Sequence, residues 1–371
     1  RAGRGGRHMS LSFAAAGALA LMGAHLASAG LALAQMRRRP PGLIGTPPVT
    51  LLRPVCGLDP FDELTLASSF TQDYPEYEVI FCAPREDDPA VPLIRRLIAR
   101  HPAVPARLLT GEAALANPKL ANLAKGWAAA RHPFVCMTDS NLLLPPDYLR
   151  SLVAAWGPDT GMVSAPPVGL MPQGAGGRLE AAFLNGNQAR LQLAAARLGL
   201  GFAQGKTLFF HRDLLNRAGG IAALGRHLAE DVTATRLIRA MGLKVTLAPC
   251  PYPQPLGRRP LRAVWQRQLR WSRVRRDGFP ALFAAEPLNG AALPLALAVA
   301  GLPAPLAAGY AMLWYLAEWA LMRRAGWPAG WRDLAALPLR DALMPALWLA
   351  TFRSRAIEWR GHAMSAPQAT G

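Results

Sequence analysis

The stretch Phe134-Val135-Cys136-Met137-Thr138-Asp139-Ser140-Asn141 is the clearest indication of the fold class. Its first five residues form a short apolar run typical of a buried strand, and the run ends on polar side chains. Val49–Leu52 and Glu78–Cys82 predict two further strands. Apolar residues at helical spacing in Ala90–His101 and Leu120–Arg131 predict helices between the strands. Strands that alternate with helices predict an α/β domain with a largely parallel sheet.

Acidic residues follow two of these predicted strands. Asp139 comes directly after one, while Asp87 and Asp88 follow another. Ligands of parallel α/β sheets bind beyond the carboxyl ends of the strands. The two acidic ends are therefore candidates to hold jointly a divalent cation of the kind that a nucleotide diphosphate needs. The alternative interpretation is that each Asp caps a helix or a turn.

A third acidic pair, Glu230-Asp231, opens a stretch that continues to Ile238. One interpretation is a cap at the N-terminus of a helix. The other is a general base, since a carboxylate accepts a proton when the donor is held within hydrogen-bond reach.

The densest basic segment runs from Arg258 to Arg276 and contains eight arginines and two tryptophans. In a helix, Arg267, Arg270 and Trp271 share one face, because they lie three and four residues apart. Arginines there suit a leaving diphosphate, and the tryptophans suit a bilayer interface. A solvated basic face and a patch for anionic lipid are the alternatives.

Composition narrows the class of protein. The chain has 371 residues, 41 Lys+Arg against 23 Asp+Glu and a formal net charge of +18. Charged residues make up only 17% and hydrophobic residues 51%, which excludes a disordered polycation and argues against a purely water-soluble enzyme. A membrane, an anionic substrate and nucleic acid remain as partners. The sequence has no nucleic-acid-binding signature, so we do not expect nucleic acid.

One motif resembles a phosphate-binding loop. Gln204-Gly205-Lys206-Thr207 matches the end of such a loop, but the first glycine that the loop requires falls at Leu200. The sequence therefore does not predict an ATPase.

Both ends of the chain are apolar. Leu11–Met36 is long enough to cross a bilayer, which takes roughly 20 residues. The basic run Arg37–Arg39 then predicts a cytoplasmic location for the residues on its C-terminal side. Ala27-Ser28-Ala29 leaves a cleaved signal peptide as an alternative.

Further apolar segments at Leu288–Met322 and Leu334–Phe352 predict helices that span the membrane or lie in its interface. We expect an N-terminal transmembrane anchor at 9–37, a cytoplasmic catalytic domain at 46–286 and membrane-embedded helices at 287–361.

Taken in order, these segments resemble the ceramide glucosyltransferase family of inverting lipid glycosyltransferases. Besides the acidic and arginine sites, the similarity rests on five segments: Leu52–Pro60, Asp73–Val79, Asp87–Ala90, Asn117-Pro118-Lys119-Leu120-Ala121-Asn122-Leu123 and Ile357-Glu358-Trp359-Arg360-Gly361. It covers roughly residues 49 to 361.

The resemblance implies a GT-A-type nucleotide-sugar-binding domain, Rossmann-like in fold, on the cytoplasmic face of the membrane. We expect that membrane to be a bacterial inner membrane. The implied reaction of this membrane enzyme transfers glucose from UDP-glucose to the primary hydroxyl of ceramide with inversion, in glycolipid biosynthesis. The donor would be bound on its uridine side by Asp87 or Asp88.

The same resemblance implies roles for the other site residues. Asp231 would be the catalytic base, and Glu230 would be a supporting acidic residue beside it. Asp139 and Asn141 would hold Mg²⁺ or Mn²⁺. The diphosphate would be clamped by Lys119, Arg267, Arg270 and Trp271.

Two residues depart from the family pattern. Arg85 stands where relatives carry Asp, which leaves Asp87 or Asp88 as the first acidic site. Asn141 stands where many relatives carry Asp, and a neutral amide oxygen binds a metal ion more weakly.

Three alternative functions remain open from the sequence. The first is transfer of N-acetylglucosamine or another sugar from its UDP donor to a hopanoid or other polyol lipid. The second is a processive polysaccharide synthase, which normally needs more membrane spans. The third is a non-catalytic cationic membrane-binding protein, which would not need three acidic sites.

Overall fold

The structure is a computed structural model that describes residues 3–40, 42, 45–225, 229–353, 357–359 and 362–364. Its strands are β1 (Val49–Pro54), β2 (Tyr77–Ala83), β3 (Ala106–Thr110), β4 (Phe134–Thr138), β5 (Thr160–Ser164), β6 (Pro167–Gln173), β7 (Thr207–His211), β8 (Lys244–Leu247), β9 (Tyr252–Arg258), β10 (Ile357–Trp359) and β11 (His362–Met364).

The α-helices are α1 (Gly3–Met36), α2 (Asp62–Ala67), α3 (Val91–Arg100), α4 (Pro118–Ala129), α5 (Tyr148–Ala154), α6 (Gly174–Ala181), α7 (Arg190–Arg197), α8 (Arg212–Arg217), α9 (Gly220–Leu224), α10 (Glu230–Ala240), α11 (Leu261–Gly278), α12 (Pro280–Ala284), α13 (Ala292–Gly301), α14 (Ala304–Arg324) and α15 (Trp331–Thr351). Two 3₁₀ turns and a π-helix complete the helical segments: Ser68–Phe70, Glu286–Leu288 and Ala182–Ala189.

The chain divides into two compact units. We call the first the helical unit; it takes in the described parts of Arg1–Ala34, Gly169–Ala194 and Leu256–Ile357. The second is the sheet unit, which takes in the described parts of Gln35–Val168, Ala195–Pro255 and Glu358–Gly371. The expected domain bounds at 9–37, 46–286 and 287–361 stay a prediction.

A seven-stranded sheet organises the sheet unit, in the order β3-β2-β1-β4-β7-β5-β8. The strands β3, β2, β1 and β4 are mutually parallel, whereas β7 is antiparallel to both of its neighbours. Apolar clusters cover the sheet on each side; one includes Leu51, Phe81 and Phe209, and the other includes Leu52 and Phe210. Successive side chains of a strand point to opposite faces, so neighbouring residues of β1 and β7 supply both cores.

The predicted strands and helices are confirmed with small changes of boundary. The first two strands extend to Pro54 and Ala83, and Phe134–Thr138 is a strand as predicted. The two predicted helices are α3 and α4. The α/β fold with a largely parallel sheet is therefore confirmed.

The helical unit begins with α1. Within the residues that the structure describes, Phe13–Met36 is the one helix whose length and composition suit a membrane span, with a mean hydropathy of 1.6. Ala292–Gly301 is a shorter apolar helix. The number of C-terminal membrane segments stays a prediction.

Four buried side chains of the helical unit form an ion network that we call the closed cluster: Arg190, Glu318, Arg340 and Asp341. Arg340 donates to both carboxylate oxygens of Glu318, at 2.7 and 3.0 Å, and to Asp341 at 2.9 Å. Arg190 adds a second guanidinium 4.0 Å from Glu318. A Cβ on Gly186, in the π-helix, would collide with Glu318 and Arg340, so the backbone packs directly on the ion pair.

The C-terminal motif at 357–361 lies only partly within the described residues. Ile357–Trp359 is a short strand, while residues 360 and 361 of the motif lie outside the described residues.

Candidate active site

The site lies at the carboxyl edge of β4, where the antiparallel strand β7 begins. Thr138, the last residue of β4, pairs with Thr207, the first residue of β7. The residues just beyond this pair are also neighbours, since the Asp139 backbone N–H donates to the Lys206 carbonyl oxygen at 3.2 Å. The sheet register therefore brings an acidic and a basic residue to the same edge.

Lys119 reaches this edge from the start of α4. The side chain of Asn117 caps the helix by accepting from the backbone N–H groups of Lys119 and Leu120, at 3.0 and 3.2 Å. Pro118 occupies the first helical position, where its missing N–H costs no hydrogen bond. The segment Asn-Pro-Lys thus combines a helix cap, a fixed backbone angle and a lysine whose position is set by the first turn.

Two lysines share the Asp139 carboxylate. The ammonium of Lys119 lies 2.7 Å from Oδ1, and that of Lys206 lies 2.8 Å from Oδ2. Lys119 also contacts Glu230 at 2.7 Å and the Gly205 carbonyl oxygen at 2.7 Å. We call Lys119, Asp139, Lys206 and Glu230 the open cluster, because its side chains retain between 11% and 24% of their exposure.

The ion pairs control ionisation in the open cluster. Burial by itself would raise the pKa of Asp139, but Lys119 and Lys206 hold it well below its usual range. Burial by itself would lower the pKa of Lys119, but Asp139 and Glu230 raise it above its ordinary value. Both groups are therefore charged at neutral pH.

The arrangement does not fit a divalent metal ion. Mg²⁺ and Mn²⁺ need several oxygen ligands, and carboxylates are the strongest of them. Both oxygens of Asp139 are in ion pairs with lysine, and the amide oxygen of Asn141 accepts from Lys206 at 2.9 Å. The described part of the chain has no group of three or more His, Cys, Asp or Glu that suits a metal. Metal binding by Asp139 and Asn141 stays a prediction that this arrangement does not support.

Asp231 is the second residue of α10 and is partly exposed. Its Oδ2 accepts the Gly205 backbone N–H at 2.9 Å, and its Oδ1 accepts the Val232 backbone N–H at 2.8 Å. Burial, together with the charge of neighbouring Glu230, raises the pKa of Asp231 to about 6. A carboxylate with such a pKa is ionised at neutral pH and is a stronger base than an ordinary aspartate.

The loop after β4 is held from behind by Arg53. This arginine of β1 is fully buried and donates to the backbone oxygens of Thr65, Ser140 and Leu142, at 2.9 to 3.1 Å. Burial lowers the pKa of Arg53 to about 10, although Tyr148 and Asp139 oppose that shift. Arg53 thereby fixes the backbone that carries Asp139 and Asn141.

The two candidates for the first acidic site differ in their surroundings. Asp88 is buried, and its carboxylate accepts from the backbone N–H groups of Gly57 and Ala90 at 2.9 to 3.1 Å. Asp87 is exposed and forms a surface ion pair with Arg85. Asp88 therefore joins two loops, while Asp87 has a carboxylate that is accessible to a ligand. A donor-binding role for either one stays a prediction.

The predicted arginine motif lies in the helical unit, on α11. Arg267 contacts the buried carboxylate of Glu180 at 3.2 Å. Trp271 packs against Ala181, Leu184 and Leu256. The diphosphate-binding role of Arg267, Arg270 and Trp271 stays a prediction.

Within the sheet unit, the structure thus brings together Lys119, Asp139, Asn141, Glu230 and Asp231. Sequence reasoning missed Lys206 and Arg53 at this site. Lys206 has a recognisable signal, because it directly precedes the strand Thr207–His211, but its place beside Asp139 depends on the antiparallel register. The sequence feature that could have identified Arg53 is its charge within a strand of mostly apolar residues.

Comparison with solved structures identifies the fold. The chain is similar to a mannosyltransferase from Pyrobaculum calidifontis, determined in complex with GDP-Man and Mn²⁺, with a TM-score of 0.52 and 23% identity. The similarity covers 88% of this chain and 97% of the mannosyltransferase. The predicted GT-A-type fold is confirmed.

Comparison of sequences identifies the relatives. The chain is 29% identical over 246 residues to ceramide glucosyltransferase 1 of Caenorhabditis elegans, across 66% of this chain and 53% of that protein. It is 43% identical over 99 residues to the ceramide glucosyltransferase of Komagataella phaffii, across 25% of this chain and 19% of that protein. The chain spans about half the length of the nematode relative that it matches.

The profile of glycosyl transferase family 21 matches residues 13–370. Since this match takes in nearly all of the sequence, the chain belongs to glycosyl transferase family 21.

Proposed function

We propose that this chain transfers glucose from UDP-glucose to the primary hydroxyl of ceramide, with inversion at the anomeric carbon. The observation that carries the proposal is the carboxylate of Asp231, whose pKa is raised to about 6 beside the open cluster at the carboxyl edge of the sheet. Membership of glycosyl transferase family 21 and the similarity to proteins named ceramide glucosyltransferase support the choice of donor and acceptor.

Asp231 acts as the general base. It accepts the proton of the acceptor hydroxyl while the oxygen attacks the anomeric carbon from the side opposite the departing UDP. One displacement inverts the configuration, and a positioned base typically contributes 10²–10⁴-fold to such a step. The hydrogen bonds from Gly205 and Val232 hold both carboxylate oxygens in place, which reduces the reorganisation needed for proton transfer.

The leaving diphosphate requires positive charge in place before the bond breaks. We assign this role to Lys119 with Arg267, Arg270 and Trp271, and the uridine side of the donor to Asp87 or Asp88. Glu230 orients Lys119 through their 2.7 Å ion pair. No step is assigned to a metal ion, because the residues around Asp139 do not fit one.

The acceptor lipid enters the catalytic site from the membrane to which the chain is anchored. The apolar helix Phe13–Met36 supports membrane anchoring, and the basic run Arg37–Arg39 supports a cytoplasmic location for the catalytic site. A bacterial inner membrane is the proposed location.

The test uses membranes that contain the full chain, supplied with UDP-glucose and ceramide. We expect an alkaline-stable glucosyl lipid, identified by mass spectrometry, that is missing from membranes without the protein. A parallel assay supplies UDP-N-acetylglucosamine and a hopanoid polyol. Product only in that second assay would contradict the ceramide assignment, and a polymeric product would indicate a polysaccharide synthase.

A further inference from the structure

We propose that Lys206 is the resident cation of the donor site. Its ammonium lies between Asp139 and Asn141, where a divalent metal ion would otherwise bind, and it enables the chain to bind a nucleoside diphosphate without metal. The inference rests on the proposed function, because it concerns how the same site holds its donor.

The geometry is that of a bound cation. The Lys206 ammonium lies 2.8 Å from Asp139 Oδ2 and 2.9 Å from Asn141 Oδ1. Its side chain is only 11% exposed, so this contact is not a solvated surface pair. The ammonium therefore contacts the same two oxygen atoms that would ligate a metal ion.

The backbone keeps Lys206 in this position. Thr138 pairs with Thr207, and the Asp139 N–H donates to the Lys206 carbonyl oxygen. The separation of the two residues is set by a strand pair in the middle of the sheet, not by a mobile loop. The fold therefore keeps the Lys206 backbone within side-chain reach of Asp139, so a metal ion at Asp139 would bind close to this lysine.

Lys119 also opposes metal binding at Asp139. It holds the other oxygen of Asp139, and its three N–H donors are matched by Asp139, Glu230 and Gly205. A metal ion would have to displace one ammonium and would remain near the second. Both lysines repel a metal ion, and this repulsion opposes the attraction of the Asp139 carboxylate.

An ammonium is suited to the task that a metal ion performs for a diphosphate. Lysine binds phosphate oxygens as a compact point charge with three rotatable donors. Its flexible side chain allows the N–H groups to turn from Asp139 and Asn141 toward the phosphate oxygens of an entering donor. On cleavage of the sugar–phosphate bond, the electron pair of that bond goes to the diphosphate, and Lys206 stabilises the added negative charge.

The experiment compares transfer from UDP-glucose to ceramide by the full chain in excess EDTA and in excess Mn²⁺. We expect the wild type to keep its rate within about twofold, and Lys206→Met to lose roughly 10²–10³-fold in EDTA. The control is Lys244→Met, since Lys244 is an exposed lysine in a surface pair with Asp159 and is expected to behave as the wild type.

A second readout is the affinity for UDP, measured by calorimetry in EDTA. We expect UDP to bind the wild type and to bind Lys206→Met at least tenfold more weakly. A wild type that loses activity more than tenfold in EDTA and recovers it with Mn²⁺ would overturn the inference. So would Lys206→Met with a wild-type rate in EDTA.

The comparison of wild-type activity in EDTA and in Mn²⁺ needs no variant. It therefore tests the inference even if Lys206→Met does not fold. If the wild type transfers no sugar with or without metal, the proposed function fails and UDP binding decides the inference alone. Binding that persists in EDTA supports it, and binding that requires Mn²⁺ refutes it.

Discussion

The open and closed clusters combine carboxylates with basic side chains in opposite ways. In the closed cluster, Arg340 and Glu318 are at most 1% exposed and are joined by two parallel hydrogen bonds. In the open cluster, lysines hold Asp139 through single contacts, and 24% of the Asp139 side chain remains exposed.

The two clusters differ because one holds its carboxylates with arginine and the other with lysine. A guanidinium fork that fits both oxygens of a carboxylate makes a directional pair, which suits a permanent link between α14 and α15. A lysine ammonium is a flexible point charge whose partners can be exchanged. Five predictions test this contrast, and the first concerns the greatest expected change.

Asp231→Asn is expected to lower the rate of transfer by 10²–10⁴-fold, because an amide cannot accept the acceptor proton. The measurement is the initial rate with saturating substrates. Asp159→Asn is the matched control, since that surface aspartate pairs only with exposed Lys244 in the interactions described. An unchanged rate in Asp231→Asn would remove the proposed base.

Asp231→Asn also has an expected effect on stability. A raised pKa in the folded protein means that the ionised carboxylate is less favourable there than in the unfolded chain. The amide removes that charge but accepts only one of the two backbone N–H groups that the carboxylate accepts, so we expect the two effects to offset and the unfolding temperature to change little. A large drop in unfolding temperature would indicate that the loss of activity reflects misfolding.

Arg340→Met is expected to destabilise the full chain by about 3–5 kcal/mol, because it leaves Glu318 and Asp341 buried with less positive charge. Thermal unfolding in detergent micelles measures this effect. The double variant Glu318→Gln/Arg340→Met is the control and should lose less, since it removes both partners of the pair. Equal stability of Arg340→Met and the wild type would show that the closed cluster is not structural.

The pH dependence of transfer is expected to track the base. Because the pKa of Asp231 is about 6, protonation removes the base below that pH, and kcat/KM should fall about tenfold per pH unit. Above pH 7 the Asp231 carboxylate is almost fully ionised, so its titration should no longer change kcat/KM. A rate that stays constant down to pH 4.5 would contradict the assignment.

Asn117→Ala is expected to have the smallest effect, about 0.5–2 kcal/mol of unfolding free energy, through loss of the helix cap. It should also weaken UDP binding, since the first turn of α4 positions Lys119. Asn117→Ser is the control, because serine retains a capping oxygen. Equal UDP affinity in the wild type, Asn117→Ala and Asn117→Ser would show that the helix cap does not affect donor binding.

The local parts of the sheet unit were predictable from sequence. Apolar runs identified β1, β2 and β4, and helical spacing identified α3 and α4, because these patterns result from burial of neighbouring residues. Asp139 was predicted at a strand end for the same reason. Lys206 was not, because its position depends on the direction of β7, which pairs with β4 across a separation of some seventy residues.

The closed cluster was beyond sequence reasoning for a related reason. Glu318, Arg340 and Asp341 appear in the sequence as charges that interrupt apolar segments. Only their packing reveals that they neutralise one another, and Arg190 joins them from α7.

The closed cluster also has a consequence for synthesis of the chain. Arg190 leaves the ribosome roughly 130 residues before Glu318, an interval of about 6–26 s at 5–20 residues per second. Throughout that time the nascent chain carries a guanidinium whose carboxylate partner does not yet exist. A stop codon between positions 318 and 340 would add the carboxylate without its main counter-ion. We expect such truncations to be degraded far more readily than the number of missing residues would suggest.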